Sequence, residues 1–336
     1  MSTELSTKFL TLADWAKRVD PDGGVSEVIE QVAETNDFLA DASMIEGNLP
    51  TGHRSTQRTT QITGTWRQIN QGVAESKSTT RQVDDGTGQL TAYSAVDVTL
   101  ANLNGNAQRF RASEDQAFIL GLGEDATDAI IYGNAGVNPE QPHGLAPRYN
   151  SLTDTVGAAG NVINAGGSGS DNTSVWLVTW GPKTTTLIHP KGSMMGLQAK
   201  DQGERPWDDG SSNPYQAYVT YFEWNLGLAV PDYRYNVRIC NIDVSELTAD
   251  GATGADLMFN MTKAYYKRPT IALKSGMAKS YWYCNKTVAE FLHHQASNKA
   301  NVNLTLDNPG GEPMISYLGA PIHVVDAITL AEATIS

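Results

Sequence analysis

Between positions 51 and 90, only seven of forty residues are aliphatic or aromatic: Ile62, Trp66, Ile69, Val73, Ala74, Val83 and Leu90. The rest is Thr, Gln, Ser, Gly, Asn and charge. Such a segment buries too little apolar surface to offset the entropy of ordering it alone. It is nevertheless not of low complexity. Ile62-Thr63-Gly64-Thr65-Trp66 and Leu90-Thr91-Ala92-Tyr93 alternate β-formers and predict two long hairpin strands, with a tip between residues 72 and 85. Asp84-Asp85-Gly86-Thr87-Gly88 reads as a turn or bulge inside the second arm. A polar hairpin with no core of its own has to lie on something else, and another copy of the same chain is the expected support. This favours an assembly protein over an enzyme.

The 336 residues suit one large or two ordinary domains. Apolar content is 40% but charged content only 18%, and Thr, Asn, Gln, Ser and Gly take the place of charge. Surfaces destined for burial between subunits are poor in charge in this way. Net charge is −13, with a pI near 4.8. A sequence-specific reader of nucleic acid carries a basic domain, so that class is excluded, and an acidic wall would repel phosphates. Cys240 and Cys284 lack metal-type spacing and are expected to be buried thiols of a protein made in a reducing cytosol. Met1-Ser2-Thr3-Glu4 shows no signal pattern, and no apolar run reaches membrane-spanning length, so no membrane association is expected.

Along the chain the reading is α+β, without a βαβ rhythm or internal repeat. Two amphipathic helices are expected at residues 12–19 and 25–39, separated by Asp20-Pro21-Asp22-Gly23-Gly24. β-Formers continue through residues 93–103. The longest helix is expected at 113–132. Ser113-x-x-Gln116 matches a capping box, Phe110, Phe118, Leu122, Ala126 and Ile130 form its stripe, and Gly133 or Asn134 ends it. Gly121 and Gly123 are expected to permit close backbone approach. Residues 157–170 read as a small-residue loop. Strands are expected at 175–180, 184–189, 215–228, 236–244, 280–284 and 321–328, with helices at 256–266 and from 285 onward.

The sequence carries no recognisable chemical motif. His293 and His294 are adjacent, about 100° apart on a helix, and share a metal poorly. There is neither a His-Glu-x-x-His motif nor a Cys–His cluster. Gly121-x-Gly123 and Gly166-Gly167-Ser168-Gly169-Ser170 give neither a phosphate loop nor a nucleophile elbow. Asp208-Asp209 reads as a solvated turn. No catalytic, cofactor-binding or metal-binding residue is therefore expected, and no cofactor. A β-rich hydrolase stays as the enzymatic alternative, without a recognisable nucleophile. The candidate residues are instead contacts between subunits. Arg54, Arg58, Arg67 and Arg81 dot the loop and are expected to bridge to carboxylates on neighbours, and Trp66, Lys77, Asp84 and Asp85 are further candidate contacts.

Local sequence adds a resemblance. Thr11-Leu12-Ala13-Asp14-Trp15-Ala16-Lys17-Arg18, Glu46-Gly47-Asn48-Leu49-Pro50-Thr51-Gly52-His53-Arg54, Asn70-Gln71-Gly72-Val73, Ser76-Lys77-Ser78-Thr79-Thr80, Leu103-Asn104-Gly105-Asn106, Tyr132-Gly133-Asn134 and Gly144-Leu145-Ala146-Pro147-Arg148-Tyr149 occur in this order along nearly the whole chain. They resemble the major capsid proteins of tailed bacteriophages, of the Hong Kong 97 fold, in short-tailed phages similar to epsilon-fifteen.

The resemblance implies an N-terminal arm (1–48), an extended β-hairpin loop (49–92), a peripheral domain (93–149 and 319–336) with spine helix 113–132, and a mainly axial domain (150–318). It further implies a virion shell of hexamers and pentamers built in the host bacterial cytoplasm. That shell would have portal and decoration partners and would enclose DNA without sequence-specific binding. Some relatives carry a long N-terminal scaffolding segment. This chain begins almost at the arm, so a separate scaffolding protein is expected. An encapsulin-type bacterial compartment is the alternative on the same fold. Certain family members cross-link a loop lysine to a neighbour, but Ser76-Lys77-Ser78 is polar and hydrated, so a non-covalent tip is expected here.

Overall fold

The computed structural model describes residues 37–336 except 104, 154–156, 209–212, 249–253, 271–272, 274–275, 298–303 and 308–313. The helix expected at 12–19 and most of that at 25–39 lie outside these residues. In chain order the helices are α1 (Phe38–Asp41), α2 (Val98–Asn102), α3 (Ala107–Tyr132), α4 (Leu257–Lys267) and α5 (Lys286–Ser297). The strands are β1 (Met44–Glu46), β2 (Gly52–Arg58), β3 (Thr80–Asp97), β4 (Val162–Asn164), β5 (Asn172–Trp180), β6 (Thr186–His189), β7 (Gln198–Asp208), β8 (Pro214–Ala229), β9 (Val237–Asp243), β10 (Lys279–Cys284), β11 (Leu304–Asp307), β12 (Met314–Tyr317) and β13 (Ala320–Val324). The described residues fall into two compact units: 89–127 with 194–225, and 37–88 with 128–193 and 226–336. These boundaries do not coincide with the four-part division that the resemblance implies.

In the first unit the β-former run stops short of Leu103. The Asp97 carboxylate accepts from the backbone N–H of Thr99 (2.7 Å) and Leu100 (3.4 Å) and so starts α2. Val96, Leu100, Ala101 and Phe110 then form a small core, with Ala107 and Tyr218 packed against it. Helix α3 begins six residues earlier than the capping box suggested, because Asn106 Oδ1 accepts from Arg109 N–H and the helix-forming residues that follow contain nothing to stop it. Its 26 residues make a rod about 39 Å long. Phe110, Leu122 and Ala126 are buried as the stripe predicts, and Phe118 stacks on Phe222 at 6.1 Å. A Cβ at Gly121 or Gly123 would meet nothing within 4 Å, so no close backbone approach is made there.

The sequence reading missed β7. It pairs antiparallel with β8 from Gln198↔Glu223 to Asp208↔Pro214, with an irregularity between Asp201 and Glu204. Largely exposed, it has no apolar alternation to betray it, and Pro206 is tolerated in such an edge position. Asp208, read as a turn residue, ends this strand.

The second unit is built on a seven-stranded sheet of order β11-β12-β13-β10-β5-β9-β4. Every residue of β5 is buried, as its continuous β-former run predicted. Val175, Leu177, Ile239 and Trp282 from the sheet meet Met261 and Ala264 of α4 and Val288 and Leu292 of α5. The larger aliphatic side chains among them each contribute about 1.5–3 kcal/mol of burial. Part of the loop expected at 157–170 is strand β4, which pairs in parallel with β9. The closing strand β13 ends at Val324 rather than residue 328. It lies parallel to β10, Trp282 opposite Ile322.

Candidate assembly interface

The hairpin forms, but from different residues on its first arm. Gly52–Arg58 pairs with 80–86 in continuous register, from Gly52↔Gly86 to Arg58↔Thr80. Thr59 N–H donates to Thr79 O at 2.9 Å and closes the ladder. Ile62 to Trp66, expected as a strand, instead lies in the irregular tip, residues 59–79. The run Asp84 to Gly88 makes no turn and is uninterrupted strand. All residues from 59 to 77 are exposed. Trp66 is fully exposed, Ile69 is 91% exposed, and Ile62 and Val73 are each more than half exposed. Four large apolar side chains are thus exposed on one loop.

The hairpin's root is fixed by charge. Asp85 is buried, and its Oδ1 lies 2.8 Å from Arg148 Nη1. Its Oδ2 accepts from Val230 N–H at 3.2 Å. Arg148 also donates to His143 O at 3.0 Å and Leu228 O at 3.2 Å. Opposite Gly86, a Cβ on Gly52 would sit 2.0 Å from Asp85 O, so only glycine admits this approach. His143, beside Arg148, has its pKa lowered, first by burial and then by the arginine's charge.

The expected interface residues divide into two groups. Arg54 and Asp84 hold each other across the strands, Nε–Oδ1 and Nη2–Oδ2 both at 2.6 Å. The hydrogen bond and charge lower the Asp84 pKa and raise that of Arg54. Arg81 donates to Gln57 Oε1 at 3.1 Å, and Arg67 to Gln71 O at 3.0 Å. Arg58, Trp66 and Lys77 are exposed. Asp85 is the correction: expected at a neighbour's surface, it is already enclosed with Arg148 inside its own chain. Arg148 itself was missed, since nothing in sequence links it to a carboxylate 63 positions away.

The family model of the major capsid protein GP7 matches residues 20–336. The chain belongs to that family. A chain of the near-atomic cryo-EM structure of bacteriophage Epsilon15 is 38% identical to this capsid protein, with 99% of each chain covered and a TM-score of 0.78. The bacteriophage JBD30 capsid is matched at 9% identity, over 89% of this chain and 92% of that one, TM-score 0.47. The SrpI encapsulin of Synechococcus elongatus is matched at 11% identity, over 70% of this chain and 97% of that one, TM-score 0.41. The last two are too distant to bear on function. No curated protein gives a match. The protein is thus a major capsid protein of a tailed phage with the Hong Kong 97-type fold, a shell component assembled from many copies of itself. The encapsulin and β-rich hydrolase readings are set aside.

Proposed function

We propose that this capsid protein secures its shell by laying the hairpin tip, residues 59–79, on a neighbouring copy. The observation that carries the reading is the full exposure of Trp66 and Ile69 at the end of a hairpin whose root is locked into its own subunit. Arg58, Arg67, Lys77 and Arg81 lie on the same projection and meet carboxylates of a chain with net charge −13. Arg54 and Asp84 extend the contact as a pair. The shell is an icosahedral assembly of hexamers and pentamers in the virion, built in the host bacterial cytoplasm. Its partners are a separate scaffolding protein, a portal and a decoration protein. It encloses DNA without reading its sequence and catalyses nothing. In this reading residues 1–48 act as the arm, 49–92 as the extended loop, 93–149 with 319–336 as the peripheral domain, and 150–318 mainly as the axial domain.

Electron microscopy of the full chain, expressed with the factors its assembly requires, tests this. Wild type should give closed shells, and a Trp66→Ser, Ile69→Ser double variant only dispersed subunits or capsomers. Shells of normal yield and heat resistance from the double variant would refute the tip's role.

A further inference from the structure

Between residues 257 and 289 there are six Lys or Arg and no Asp or Glu, in a chain whose net charge is −13. This basic island contains α4 and β10. Helix α4 turns Leu257, Met261 and Ala264 into the core of its unit. On its other side Phe259 is 66% and Tyr266 76% exposed. They are seven positions apart and share one helix face.

Directly after the helix comes Arg268, only 5% exposed. Its guanidinium lies 4.4 Å from the centre of the Tyr265 ring and donates through Nη1 to the Ser280 hydroxyl. Its Nε is buried and has no acceptor, and no carboxylate pairs with it among the described residues. Burial lowers its pKa, and the charge and hydrogen bond of Tyr265 beside it offset this only in part. A buried guanidinium without an anion is costly, and buried charges are ordinarily paired. A cavity of about 460 Å³ lies at this place, lined by Arg268, Tyr265, Lys279, Ser280, Tyr281 and Pro321.

We propose that this cavity is a socket for a carboxylate from a second copy of the chain. An Asp or Glu side chain of the neighbour enters it and pairs with Arg268, while Phe259 and Tyr266 pack on the same neighbour. The proposal rests on the shell-subunit reading and adds a contact distinct from the hairpin tip. Charge complementarity selects the occupant, because an acid-free stretch meets a copy that is acidic overall. The residue types agree, since arginine and aromatics dominate the centres of protein interfaces. A DNA backbone would be met by exposed lysines. It would not call for an arginine sunk beside a tyrosine ring or for exposed aromatics alongside.

Arg268→Met and Tyr266→Ala, made in the full chain and assembled under wild-type conditions, test the socket. Dissociated Arg268→Met subunits should unfold at the wild-type temperature or above it, since a stranded charge has been removed. The subunit concentration needed to form shells should rise about tenfold or more for Arg268→Met. A photo-cross-linking phenylalanine analogue at position 266, in shells of mixed ¹⁴N and ¹⁵N chains, should give mixed-isotope cross-links to an acidic peptide. A lower unfolding temperature with unchanged assembly would mean that Arg268 is paired within its own chain, and the socket fails. Cross-links confined to one chain, or to packaged DNA, overturn it too. Variants indistinguishable from wild type in normal shells reject the socket alone, whereas failure of the wild type to form shells removes the shell reading as well.

Discussion

Arg238 and Glu332, 94 positions apart, meet at 3.0 Å with both side chains 5% exposed. The other Glu332 oxygen accepts from Tyr132 Oη at 2.6 Å and Ser174 Oγ at 2.7 Å. Arg238 lies over the Trp176 ring at 4.8 Å and donates to Tyr149 O at 3.0 Å. The last residues of the chain are thereby locked to β5 and β9. Glu332→Ala strands the guanidinium and should cost about 3–5 kcal/mol. Urea denaturation of the subunit measures it, and a loss below about 1 kcal/mol would show that the latch adds little beyond an exposed pair.

The neighbours Asp84 and Asp85 offer a controlled comparison. Asp85→Ala leaves the largely buried Arg148 without its carboxylate and should destabilise the subunit by about 3 kcal/mol. Asp84→Ala removes a solvent-exposed partner of Arg54 and should leave the unfolding midpoint almost unmoved. Equal losses would mean that the hairpin root is not anchored by Arg148.

Replacing residues 60–78 with two glycines should keep the Thr59–Thr79 closure and leave subunit stability within about 0.5 kcal/mol of wild type. Shell formation should be lost. Excision of residues 55–88, by contrast, takes Asp85 with it and should unfold the subunit. Sedimentation and circular dichroism on the two deletions separate an assembly defect from a folding defect.

His323 Nδ1 lies 2.6 Å from Asp41 Oδ2, which also accepts from Tyr283 Oη at 2.8 Å. Burial lowers the His323 pKa, but the hydrogen bond and charge of Asp41, with Asp37 beyond, outweigh it, and the net shift is upward. The ring also faces Tyr281 at 5.0 Å. A raised folded-state pKa means a stabilising contribution that is complete below the unfolded value near 6.5 and is lost as pH rises through the folded one. His323→Gln should therefore destabilise the subunit more at pH 5.5 than at pH 8.5. Thermal unfolding at the two pH values checks the sign.

Cys240 and Cys284 are free and buried, and burial pushes their thiols up to about 11 and about 12. Neither should react with a thiol reagent at pH 8 until the subunit unfolds, because the thiolate is the nucleophile. Stoichiometric labelling of the native protein would contradict their burial.

Much of this fold was readable from the chain itself, because its signals are local. The continuous apolar run Val175-Trp176-Leu177-Val178 specifies a strand buried on both faces, and Leu122, Ala126 and Ile130 recur at the spacing of a helix face. The coreless stretch from 51 to 90 does hold a polar hairpin with an exposed tip at 59–77, although its first strand is not the one expected. The first arm was misplaced because Gly52–Arg58 alternates only among polar side chains, so pairing with β3 defines it and periodicity does not. The fates of Asp84 and Asp85 show where sequence stops. The two residues are chemically identical and adjacent, and a strand sends their side chains to opposite faces. Which face meets Arg54 in the open, and which meets Arg148 and the Val230 backbone in the interior, depends on chain segments as far as 145 positions away. Only the tertiary structure brings those segments together, because desolvation and pairing act through space.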